Sequence, residues 1–402
     1  MSHRIRRRAF LKAAARGTIG ASLLPLAGCS RGAQAPARTA NDGRWAPLVA
    51  DIERRIPGLM AAAVVPGLSI AIVRDGRLLW HQGFGVRDSA SNEPVDDGTV
   101  FEAQSMSKPV FAYAVMQLHE RGAIDLDAPL TTYGSRRPLE GDPRLDSITA
   151  RHVLCHSAGF QNWRSSSDPL RIHFTPGERH LYSGEGYHYL QSVVTELTGR
   201  VDPEACGRYE GDVEICATDI DAYLTANVLA PFGMRSSGYV WNDGRFRNHA
   251  RPHDVQGRPG LKGRPTPIDA ARYAAAGALQ TTAVDYARFL IAVVDPKNGD
   301  RFHLRRGTIA EMVRPHVKVG ESSSWALGWA VQHTGHGDVI FHAGDERGFH
   351  SIAVASVPAK SGFVIMTNGD NGKALIGKLM VDDALQPFLL SAEERPPAGP
   401  MA

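Results

Sequence analysis

No stretch beyond residue 28 is long and apolar enough to span a bilayer, and the run from Gly17 to Ala27 is itself short for a spanning helix. A basic surplus is lacking too. The net charge is +3, yet Arg4, Arg6, Arg7, Arg8, Lys12 and Arg16 all lie in the first 28 residues with no acid among them. Without these six cations the remainder carries −3. That argues against nucleic-acid binding, which needs a basic face on the folded domain. The Gly-x-Ser-x-Gly elbow of α/β-hydrolases is absent. His152 and His156 have helical spacing, but Val153 stands where a zinc protease needs glutamate, so no metal is expected. No internal repeat is visible. Cysteine is sparse, with 4 in the chain. Cys206 and Cys216 flank a polar stretch and would close a small-loop disulfide in an exported protein; two free thiols are the alternative. Cys155, in Val153-Leu154-Cys155, reads as a small buried hydrophobe.

What is present begins with a targeting segment. Arg7-Arg8-Ala9-Phe10-Leu11-Lys12 resembles the twin-arginine export motif, and Leu26-Ala27-Gly28-Cys29 resembles a lipobox. These imply cleavage before Cys29, lipidation of its thiol and a protein tethered in the periplasm or cell envelope. An ordinary secretory signal or an uncleaved anchor is the alternative. The rest, too long for a single hydrophobic core, calls for two lobes. A helix is expected from Trp45 to Ile56, stopped by Pro57-Gly58. Leu68–Val73 and Leu78–Trp80 flank Asp75-Gly76, a hairpin signal. Val110–His119 has helical spacing with Phe111, Val115 and Leu118 on one buried face. Helices and polar loops dominate 123–300, with a helical pair between Ala271 and Val294 broken near Thr281-Thr282. Strand signals follow at 325–331, 339–341, 351–355 and 363–366. A closing helix from Gly372 to Leu385 should turn Leu375, Leu379 and Val381 inward. The expected organisation is a signal peptide (1–28), a tether (29–43), an α/β lobe (44–100 with 301–391), a mainly helical lobe (101–300) and a loose tail (392–402). The class is α+β, an antiparallel sheet flanked by helices.

Chemistry centres on Ser105-Met106-Ser107-Lys108. Residues three apart on a helix share a face, so an amine can reach a serine hydroxyl and activate it by taking its proton. Tyr182-Ser183-Gly184 sits in a Pro/Gly-rich loop before a further helix. His342-Ala343-Gly344 closes a strand-like run. Alone, a loop tyrosine is usually packing and a strand histidine usually structural. His333-Thr334-Gly335 looks like the latter motif but reads better as a hairpin turn.

In this order the three elements resemble the penicillin-recognising serine hydrolases, more narrowly the class C β-lactamase and esterase branch. That family carries Ser-x-x-Lys, Tyr-x-Asn, and Lys-Thr-Gly or His-x-Gly. Val153–Gly159, Ala276–Leu279 and Ala326–Trp329 also resemble family segments, and the likeness spans roughly 44–390. The resemblance implies that Ser105 is acylated and that Lys108 and Tyr182 share the base role, with Tyr182 then donating to the leaving group. It assigns the oxyanion to the backbone N–H groups of Ser105 and Asp345, with Gly344 admitting the substrate. A phenol near pKa ~10 would need to fall by roughly 3 units to act as an anion near neutrality, and Lys108 and His342 are the cations expected to lower it. His342 replaces the family lysine with a pH-dependent charge. Ser183 and Gly184 would line the substrate. Gly184 departs from the family asparagine, which grips an amide side chain. This favours ester hydrolysis over β-lactamase or D-amino-acid peptidase action, with a binding protein that no longer turns over as a further alternative. The substrate is a small ester, β-lactam or peptide, and no cofactor is called for.

Overall fold

The computed structural model describes residues 43–198, 220–260, 274–297, 300–381 and 385–390. The expected export segment, Cys29, Cys206, Cys216 and the expected tail lie outside them.

Among the described residues eleven strands form two antiparallel sheets. They are β1 (Gly67–Arg74), β2 (Arg77–Asp88), β3 (Glu93–Pro94), β4 (Phe101–Glu102), β5 (Gln280–Thr281), β6 (Val317–Lys318), β7 (Ser323–Trp325), β8 (Ala330–Thr334), β9 (Gly337–Glu346), β10 (Phe349–Ser356) and β11 (Ser361–Thr367). The large sheet runs β3-β2-β1-β11-β10-β9-β8-β7-β6, and β4 pairs with β5 in a ribbon. Asp75 and Gly76, with φ of 52° and 70°, make the tight turn between β1 and β2 that the hairpin signal required. Central β1 is buried along its whole length. Leu68, Ile70 and Ile72 face one apolar cluster and Ala71 and Val73 another, because successive side chains alternate across a strand and both faces are covered.

One cover is made by helices α1 (Ala46–Ala63) and α6 (Gly372–Val381). The other contains α2 (Ser107–Glu120), α3 (Ala150–Leu154), α4 (Gly184–Leu197) and α5 (Ala283–Val294). The molecule is an α+β fold with an antiparallel sheet and flanking helices. Among the described residues no helix is long and apolar enough to cross a membrane.

Several local expectations are corrected. α1 continues through Pro57 and ends where Val64 turns left-handed at φ 56°. An interior proline costs about 3 kcal/mol. Burying Ile52, Ile56 and Met60 on the sheet contributes roughly 1.5–3 kcal/mol each, so burial wins. α2 does not bury a single face: every residue from Ser107 to Leu118 is buried, the polar Ser107, Lys108 and Gln117 included. The run at 325–331 is two strands, not one. Gly328, at φ 85°, turns the chain between β7 and β8, and a Cβ there would lie 2.6 Å from that of Ala112 on α2. Val381 is exposed rather than inward-facing, although Leu375 and Leu379 are buried. The break between the helices at 274–294 falls as expected, with Thr282 capping α5 through the Asp285 N–H.

Candidate active site

Ser105 occupies a 3-10 turn, Gln104–Met106, that runs directly into α2. With three residues per turn, positions i and i+3 eclipse, so Lys108 projects over Ser105. Its Nζ donates to Ser105 Oγ at 3.1 Å and to the Ala276 carbonyl at 2.7 Å. The turn is pinned from several directions. Ser107 Oγ donates to the Gln104 carbonyl and accepts from the Leu279 N–H, and the Tyr286 hydroxyl donates to the Met106 carbonyl. Gln104 is left-handed at φ 49°, an uncommon state for a side-chain-bearing residue held by these surroundings.

Lys108 is 1% exposed. Its Nζ lies 4.8 Å from the Tyr182 ring centre and 5.5 Å from that of Tyr187. Burial alone pulls its pKa down to about 7, because no anion among the described residues repays the loss of hydration. At pH 7 a sizeable share of Lys108 is therefore neutral, and that neutral amine can accept the serine proton.

Tyr182, in the loop before α4, hydrogen-bonds Ser105 through its phenol. The expectation that cations lower its pKa is corrected: burial raises it, with only a partial offset from that hydrogen bond. Tyr182 therefore rests protonated, as a donor. His342 does not supply positive charge either. Burial, reinforced by Lys108, lowers its pKa to about 3. Its Nδ1 donates to the Ala343 carbonyl at 2.8 Å, leaving Nε2 as a buried acceptor with no partner among the described residues. The His342 and Tyr182 rings are 6.3 Å apart.

Gly344 brings β9 against the segment entering the nucleophile turn. A Cβ there would collide with the Ala103 carbonyl oxygen and lie 2.6 Å from Ser351 Oγ. Asp345 turns its side chain outward to His350 Nδ1 at 2.7 Å and Lys373 Nζ at 3.0 Å. Ser183, expected to line the substrate, has its side chain turned into the fold. It is 2% exposed, and its Oγ accepts from the Gly186 N–H to cap α4 while donating to the Gln161 carbonyl. Gly184 abuts the Trp163 indole, with Cε2 2.6 Å from where a Cβ would stand.

Two contributors escaped sequence reasoning. The Ala276 carbonyl has no residue-type signal. His156, seen only as part of a family-like segment, lies tilted 4.2 Å from the Tyr182 ring and edge-on 4.9 Å from Trp325. Its Nδ1 accepts the Ser183 N–H at 3.1 Å, which ties the tyrosine loop to the end of α3. Cys155 is buried and free, with its thiol 3.2 Å from Ser157 Oγ. His152 caps α3 with Thr149, and His333 sits at the β8–β9 hairpin bonded to Asp338. A cavity lined by Gln117, Arg121 and Arg305 lies at the far end of α2, about 20 Å along the helix from Ser105, and offers no such nucleophile.

Residues 52–384 match the Beta-lactamase family. The chain belongs to that family. Protein flp of Staphylococcus aureus (strain MRSA252) is 19% identical over 76% of the chain and 60% of its own length. Esterase EstB of Burkholderia gladioli is 29% identical over 52% of the chain and 55% of its own length. The chain thus spans less than two thirds of either relative. In structure it is similar to the octameric penicillin-binding protein homologue from Pyrococcus abyssi, with TM-score 0.67 and 21% identity over 85% of this chain and 79% of that one. It is also similar to a β-lactamase/D-alanine carboxypeptidase from Pseudomonas syringae, with TM-score 0.68 and 17% identity over 84% of this chain and 99% of that one. These likenesses establish the fold.

Proposed function

We propose that this protein is a serine hydrolase that acylates Ser105 and prefers carboxylic esters. The carrying observation is a buried Lys108 whose Nζ lies 3.1 Å from Ser105 Oγ and whose pKa falls to about 7. Neutral Lys108 takes the serine proton as Oγ bonds to the carbonyl carbon. The backbone N–H groups of Ser105 and Asp345 receive the oxyanion. Tyr182, protonated, gives its proton to the departing alkoxide as the C–O bond breaks, and the proton held by Lys108 replaces it. Water then adds to the acyl-enzyme, releasing the acid and restoring Ser105.

The ester preference rests on Gly184, which has no side chain to grip an amide, and it agrees with the name of the relative EstB. A name in the Pseudomonas syringae structure, β-lactamase/D-alanine carboxypeptidase, supports the second reading of β-lactam or D-amino-acid peptide hydrolysis. Turnover of a short p-nitrophenyl ester, a chromogenic cephalosporin and a D-Ala-D-Ala peptide separates them. Higher kcat/KM on either of the latter two overturns the ester choice. Intact mass after fluorophosphonate treatment tests the nucleophile. An adduct on wild type and none on Ser105→Ala is expected, whereas no adduct on either would leave a binding protein without turnover. Export by the twin-arginine route and lipidation at Cys29 complete the proposal; loss of membrane fractionation in Cys29→Ala would support it, and unchanged fractionation would refute it.

A further inference from the structure

The space beside Tyr182 is occupied by an aromatic ring from a distant segment. Ser183 is extended, at φ −141° and ψ 116°, so side-chain directions at 182 and 184 fall on the same side of the chain. A Cβ at 184 would run into Cζ2, Cη2 and Cε2 of the Trp163 indole. The indole therefore stands where a residue-184 side chain would begin, on the Tyr182 side. It is 39% exposed, and it is the single aromatic among the exposed large hydrophobic residues described.

Its position is held from both flanks. Asn162 accepts the Gly184 N–H on Oδ1 and the Glu185 N–H on its carbonyl, each at 2.9 Å. Arg164 donates to Glu185 three times, from its backbone N–H at 3.0 Å, from Nε at 2.9 Å and from Nη2 at 2.6 Å. The Glu185 side chain is 6% exposed, so this clamp is a desolvated, bidentate one. Neighbours on either side of Trp163 are thus tied to Gly184 and Glu185. A ring fixed in place and partly exposed to solvent loses little entropy when it receives a ligand.

Resting on the esterase reading, we infer that the Trp163 indole is the platform that receives the apolar substituent of the substrate, and that Gly184 exists to let it in. The chemical class is an ester with an aryl or bulky hydrocarbon group next to the scissile carbonyl or its oxygen. An indole face provides contact area and ring stacking but no amide partner.

The test has two arms. p-Nitrophenyl phenylacetate against p-nitrophenyl acetate varies the acyl side, and phenyl acetate against ethyl acetate varies the alcohol side. Wild type should favour the ring-bearing ester in one arm, which assigns the side. Trp163→Ala should lower that kcat/KM ratio by roughly tenfold or more, and Trp163→Phe should retain most of it. Gly184→Ala, which leaves the indole in the chain but forces it aside, should lower the ratio as well. A ratio unchanged in both Trp163→Ala and Gly184→Ala overturns the inference. Labelling rates with benzyl and methyl fluorophosphonates, read by intact mass, supply the same ratio without turnover. If esters are not turned over but the benzyl preference persists and depends on Trp163, the esterase reading fails alone. Full ester turnover with no dependence on Trp163 sinks the platform alone.

Discussion

At the residue scale, protonation states separate the three central side chains. Lys108 is shared between its neutral and charged forms at pH 7, Tyr182 holds its proton and His342 is uncharged, each because burial disfavours the ionised form. A base that must be neutral works better as pH rises. The kcat/KM profile for an ester should therefore climb through about 7 and level above it, and a flat profile from pH 5 to 9 would contradict a lysine base. Lys108→Arg cannot shed its proton and should lose acylation. Tyr182→Phe should lower kcat by about 10²–10⁴ and still form a fluorophosphonate adduct, since Lys108 keeps its contact with Ser105. Stability follows the same titration. Folded Lys108 loses its proton near 7, while an unfolded lysine keeps it to ~10.4. The unfolded chain binds more protons between those values, so stability contributed through Lys108 rises with pH across that window and is lowest below it. Lys108→Met should raise the Tm at pH 6, and its advantage should shrink by pH 10; a Tm gap independent of pH would refute this.

Elements set these residues close together. A 3-10 turn leading into α2 aligns Ser105 with Lys108, and the β9 strand passes so near Ala103 that only glycine fits at 344. Gly344→Ala should push the Gln104–Met106 turn aside and lower kcat/KM by an order of magnitude or more, about 1.4 kcal/mol or above, with a smaller effect on urea stability; unaltered kinetics would show that the strand can yield. In α1, Pro57 withholds one helical hydrogen bond from a helix kept by its buried face. Pro57→Ala should add about 1–3 kcal/mol to unfolding, measured by urea titration, without changing ester turnover. The hairpin at Asp75-Gly76 and the helix-strand order were legible because turn chemistry and apolar period are local signals. The end of α1 was not, since packing on the sheet overrides a proline stop. Likewise α2 is buried on all sides, which spacing by itself reads as one face.

Across the whole molecule, the sheet separates two apolar clusters, and the nucleophile sits on only one side of it. Leu375 is fully buried in the cluster under α1 and α6. Leu375→Ala should cost about 2–5 kcal/mol while kcat/KM at a temperature where it remains folded stays at the wild-type value. A matching fall in kcat/KM would mean that the two faces are coupled. The sequence by itself determined the chemistry available: serine and lysine three residues apart, a tyrosine in a loop and a His-x-Gly on a strand, all readable because spacing acts along the chain. Tertiary structure decided how that chemistry is poised. Charge on Lys108, Tyr182 and His342 depends on how deeply other segments bury them. The Ala276 carbonyl that holds the lysine, the His156 ring beneath the tyrosine and the Trp163 indole over Gly184 all come from segments remote in sequence from the groups they touch. No local pattern encodes such contacts, because each depends on where the sheet and helices bring two distant backbones together.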